Sequence, residues 1–174
     1  MPLSMYIASI PAFVRTLEAL SGVLDKAAAY CAARKIEPEV LAGTRLFPNM
    51  FALARQVQLS SDFAKNGASR LAGIDPPKFE DTETTIDALK DRIARTIAYV
   101  KSIDPKQIDA SAGRDVVFPQ GPNKMKTPAE NFLFNVCLPN FYFHATTAYA
   151  ILRQSGVEIG KRDYLGSIPD LSPA

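Results

Sequence analysis

The stretch "LPNFYFHATTAYAILR", residues 138–153, holds His144, the single histidine among 174 residues. An imidazole titrates nearest to neutrality, so it can act as general base, general acid or metal ligand. Asn140 precedes it by four residues, one turn along the same face of a helix. On a wheel of about 100° per residue, Cys137, Asn140, Ala148 and Ile151 lie within roughly 40° of His144, an apolar stripe that points into a helical core. Tyr142, Tyr149 and Arg153 form a separate stripe. Earlier in the chain, Gln56 stands beside Asn49, Leu53, Ser60 and Phe63 at the inward edge of another helical segment. If these helices are neighbours, Gln56, Asn140 and His144 converge as one polar spot in an apolar bundle, where bundles hold small ligands. The same side chains could instead bond one another or a buried water and fix helix register.

Each chemistry needs particular partners. A transition-metal site draws three or four ligands from imidazole, thiolate and carboxylate. His144 with Asn140 and Gln56 offers one imidazole and two neutral amides. The expectation is therefore no cofactor, with a divalent metal such as zinc or nickel as the alternative. Cys137 is two turns from His144, too far along the helix to chelate the same ion easily. A Cys–His or Ser–His pair would need Cys31, Cys137 or a serine beside His144, and no GxSxG elbow is present. "GVEIGK" lacks the spacing of a phosphate loop. Asp62, in "SSDFAKN", reads as an ion-pairing carboxylate. Arg45, in "TRLFPNM", reads as a carbonyl cap more than an anion site, and Arg153 as a partner for an acid or for Tyr149. His144 is left as the one candidate catalytic group.

Four long helices must position these residues. The first is expected over 9–34, from Ile10, Phe13, Leu17, Leu20, Leu24, Ala27 and Cys31 at spacings of three and four. The second is expected from about Pro48 to Leu71, stopped by Gly73 and Pro76-Pro77. The third follows "FEDTET", with Ile86, Leu89, Ile93, Ile97 and Val100 inward. The fourth runs from about Pro128 to Gln154, kinked at Pro139 and ended by Gly156. Between the third and fourth, "RDVVF" and "NKMKT" flank "PQGP" and predict a small β-hairpin or extended crossover.

Composition bounds the reading. A chain that is 47% apolar and 22% charged fits one globular domain over 1–174. Twenty basic against 18 acidic residues, without a basic run, argues against nucleic acid as a partner. No export signal and no continuous apolar stretch of membrane-spanning length is read from the sequence. With two isolated cysteines, this implies reduced thiols, no membrane partner and a cytoplasmic setting.

Four segments carry a family resemblance: "MYIASIPAFVRTLEALSGVLDKA", "RLFPNMFALARQVQLSSDFAKNGASRLAG", "FEDTETTIDALKDRIARTI" and "LPNFYFHATTAYAILRQSGVEIGKRDYLG". Together they resemble an uncharacterised bacterial family filed as domain of unknown function nineteen-ninety-three, within the DinB/YfiT-like metalloenzyme superfamily. The resemblance implies an all-α four-helix bundle of up-down-down-up type with a long crossover. In metal-binding members of that superfamily, one histidine lies on the second helix and two lie four residues apart on the fourth. His144 matches the second of that pair, while Asn140 and Gln56 stand where the other two would be. The resemblance thus implies the cavity more strongly than the metal. The leading expectation is a metal-free pocket for a small molecule, or an interaction module. The rivals are a transferase or hydrolase of the DinB-like type, with His144 as general base with or without a metal, and a partner-binding bundle whose exposed Tyr142/Tyr149 stripe forms a homodimer.

Overall fold

The computed structural model describes residues 4–172. Helix α1 spans Met5–Arg34, α2 Pro38–Ala42, α3 Leu53–Ala72, α4 Ile86–Ser102 and α5 Pro105–Asp109. Strands β1 (Asp115–Gln120) and β2 (Asn123–Pro128) follow. After α6 (Ala129–Asn131) comes a π-helical segment, Phe132–Cys137, which leads into α7 (Leu138–Gln154), and α8 (Lys161–Leu165) closes the chain.

Helix α1 begins four residues earlier than its apolar period suggested. Ser4 is the N-cap, accepting from the Ile7 N–H at 3.1 Å, while Ser9 is buried inside and donates to the Met5 carbonyl. Helix α3 starts later, at Leu53. Residues 43–52 form an irregular loop closed by Leu53 N–H on the Thr44 carbonyl at 2.8 Å, so Asn49 lies outside the helix and exposed. The last helix is broken before Pro139 and not at it. Proline has no N–H to return to the preceding turn, and the chain meets this by widening into π geometry, with Leu138 N–H on the Leu133 carbonyl.

Pairwise contacts fix the direction of each long helix. Lys101–Glu18 and Lys90–Asp25 make α4 antiparallel to α1. Phe13–Phe141 and Tyr30 Oη on the Ser155 carbonyl make α7 parallel to α1. Arg92–Asp62 and Tyr99–Ser69 make α4 parallel to α3, and Gln56–His144 makes α7 antiparallel to α3. The order is up-down-down-up around a core of Phe13, Leu17, Leu24, Leu53, Leu89 and Phe141. By length and mean hydropathy α1 could cross a membrane, but its apolar side chains make up one wall of this core.

Two parallel neighbours cannot be joined by a tight turn. Residues 73–85 therefore run back along the roughly 30 Å of α3 as an extended strap. The strap is fastened by Arg92, which is fully buried on α4. Its guanidinium bonds Glu83 at 3.1 Å, Asp62 at 2.9 Å, Asp81 at 3.0 Å and the Glu80 carbonyl at 3.0 Å. Lys65 adds the Pro77 carbonyl at 2.8 Å, and Phe79 sits under the cations of Lys65, Arg92 and Arg95. The second long connection, from α4 to α7, contains the expected hairpin in the register Phe118↔Met125. It carries the chain diagonally across one end of the bundle, with Val116 and Phe118 turned onto the core.

Candidate functional site

Antiparallel packing of α3 on α7 brings Gln56 and His144 face to face. Gln56 is 1% exposed and His144 8%. Gln56 Nε2 donates to the Phe51 carbonyl at 3.2 Å, which turns Oε1 toward His144 Nδ1 at 2.8 Å. An amide oxygen only accepts, so the imidazole carries its proton on Nδ1. Nε2 is then the lone-pair nitrogen, and it has no partner among the described residues. Phe63 stacks on the ring at 5.7 Å and 17°, and Phe143 meets it edge-on at 5.2 Å. Burial, reinforced by the positive charge of Arg55, lowers the His144 pKa from 6.5 to about 4. The ring is neutral at pH 7.

Asn140 does not join this pair. Its Nδ2 donates to the Val136 carbonyl at 2.7 Å, one turn back in its own chain, where the π segment has disturbed the helical ladder. That bond takes the third predicted pocket residue out of the site. Cys137 is also separate. It is fully buried and donates weakly to the Phe63 carbonyl, and burial pushes its thiol up to about 12. Such a thiol is not a nucleophile. Asp62 is ion-paired with Arg92 and Lys65, and Arg45 reaches the Pro48 and Met50 carbonyls. The tyrosine stripe is partly covered. Tyr149 packs on Tyr164 of α8 and Tyr142 on Phe141, and both are half-buried against the core.

The donor set does not fit a metal. Gln56 already uses both ends of its amide, Asn140 is turned to its own backbone, and no cluster of three His, Cys, Asp or Glu side chains exists among the described residues. What remains is a single imidazole nitrogen at the edge of an aromatic surface. Phe143, whose ring meets the imidazole, and Phe51, whose carbonyl holds Gln56, are each more than half exposed, and the Arg55 guanidinium lies 6.0 Å from the Phe51 ring centroid. Of five surface cavities of about 430–540 Å³, none is lined by Gln56, Asn140 or His144. The place is a ledge; sequence reasoning found its two polar members and set Phe63 on the same inward edge as Gln56, but not the nearby charge of Arg55.

The comparisons agree with this architecture. A family model described as "Domain of unknown function (DUF1993)" matches residues 5–165. The chain belongs to that family. A crystal structure of a DinB family member protein from Shewanella denitrificans is 36% identical, with a TM-score of 0.86, over 97% of this chain and 95% of that one. The fold is accordingly an all-α, DinB-like one. No curated protein matches.

Proposed function

We propose that this member of the DUF1993 family is a metal-independent, cytoplasmic binding protein. Its ligand is a small planar molecule with an N–H or O–H donor, taken at the His144 ledge. The observation that carries the reading is the Nδ1–H tautomer held by Gln56, which leaves Nε2 as a fixed acceptor on a ring packed between Phe63 and Phe143. A neutral acceptor beside exposed aromatic faces suits stacking plus one hydrogen bond. A general-base role is less well supported. Proton abstraction is most effective when the base titrates near working pH, and a base at about 4 has given up much of its driving force.

The test is an NMR titration of the intact protein with phenol and indole, with toluene as the donor-less control. Phenol or indole should shift the His144 Nε2 resonance saturably, and toluene should not. Absence of any Nε2 shift with both donors would refute the ledge. Elemental analysis of untagged protein should find far less than one metal per chain. Stoichiometric zinc, nickel or iron would instead revive the metalloenzyme reading.

A further inference from the structure

A second candidate lies at the other end of α3. Gly73 ends the helix in a left-handed conformation, φ 74°, and the Arg114 guanidinium lies over it. Arg114 donates to the Leu71 carbonyl at 2.7 Å and the Arg70 carbonyl at 3.3 Å, so it satisfies the helix's terminal acceptors. The guanidinium of Arg70 itself is not used in this way. Arg70 is half-buried and lines a cavity of about 510 Å³ between α3 and the β-hairpin, and its guanidinium makes no ion pair or hydrogen bond among the described residues. Burial lowers its pKa, which reflects a cation stripped of part of its water without an anion in return.

We propose that this cavity binds an organic carboxylate, its head group on Arg70 and its apolar body against Ile74 and Val117. A guanidinium presents parallel N–H groups that match a carboxylate bidentately, and the match supplies both the charge and the hydrogen bonds that Arg70 lacks. The apolar surface of the cavity comes from Ile74, 39% exposed, and Val117, 53% exposed, while Val116 and Phe118 on the same strand face the core. Lys124 adds a positive charge at the mouth. Two acids also line the space. Asp115 is engaged by Lys126 at 2.9 Å, and Asp75 is exposed to solvent, which screens its repulsion of an incoming anion. Arg70 lies fourteen positions after Gln56 on α3, about 21 Å along the axis, so this site is independent of the His144 ledge.

Backbone-amide NMR on the intact protein tests this with benzoate and octanoate, against benzamide as the neutral match and phenyl phosphate as the rival anion. At least one carboxylate should give saturable shifts at Gly73, Ile74 and Val116, with benzamide at least tenfold weaker. Arg70→Met, which keeps an apolar stem, should weaken carboxylate binding at least tenfold. Val117→Glu, at an exposed position on the wall, should weaken it at least threefold without touching the core, and it decides the matter if Arg70→Met does not fold. The proposal fails if neither carboxylate binds, if benzamide binds as well, if only phenyl phosphate binds, or if the shifts centre on His144.

Discussion

Helix α3 carries two polar clusters that survive burial by opposite means. At its first turn, Gln56 and His144 are neutral and matched donor to acceptor, so burial costs little once each hydrogen bond is made. Two turns further, Asp62 belongs to a cluster of full charges in which a wholly buried Arg92 faces three carboxylates. There, no single bond suffices, because an unmatched charge in the interior is far more costly than an unmatched amide. The neutral pair leaves a nitrogen for a ligand. The charged cluster leaves no acceptor for one and instead holds the strap that makes α3 and α4 parallel. The first cluster is therefore the one to examine for binding, and the second for stability.

Removing Arg92 should separate the two most sharply. Arg92→Met leaves buried Glu83 with only Gln58 and the half-exposed Arg95, and should cost about 3–5 kcal/mol in urea unfolding. A loss under 1 kcal/mol would mean that the strap is held by packing alone. The neutral pair should reveal itself through pH. The folded His144 titrates at about 4, against 6.5 for the ordinary group, so between those values the unfolded chain binds the extra proton. Stability should be complete above pH 6.5 and fall by up to about 3 kcal/mol as pH drops to 4, and the His144→Phe variant should lack this component. Parallel pH profiles for wild type and variant would contradict it.

Smaller effects test how the pair is held. Gly67 lets α3 approach the π segment, because a Cβ at that position would overlap Cys137 Sγ. Gly67→Ala should cost about 1–3 kcal/mol. Adding Cys137→Ala should recover part of it in a double-mutant cycle followed by thermal unfolding. Gln56→Leu should cost about 1–2 kcal/mol by leaving the His144 Nδ1–H without its acceptor, measured by urea unfolding at pH 7.5.

Much of the fold was legible because apolar periods of three and four register burial directly. Leu17, Leu24, Leu89 and Ile93 all sit in the core that their spacing predicts. The pairing of Gln56 with His144 was legible for the same reason, since both fall on inward faces. Arg92 was not. It lies between Leu89 and Ile93 on α4, and an arginine at such a position reads as solvated unless the carboxylates of "FEDTE" are known to fold back over it. Asn140 failed for a local reason: it does share a regular helix with His144, but its amide bonds the Val136 carbonyl one turn back, which a wheel does not show. The start of α3 was also misjudged, since Pro48 belongs to a loop closed from Thr44.

The most direct test is the tautomer of His144. As the single histidine, it gives one pair of ring nitrogen signals in long-range ¹H–¹⁵N NMR. We expect a neutral ring from pH 8 down to pH 5, protonated at Nδ1 and bare at Nε2. A proton on Nε2, or a midpoint near the ordinary 6.5, would contradict both the Gln56 pairing and the ledge built on it.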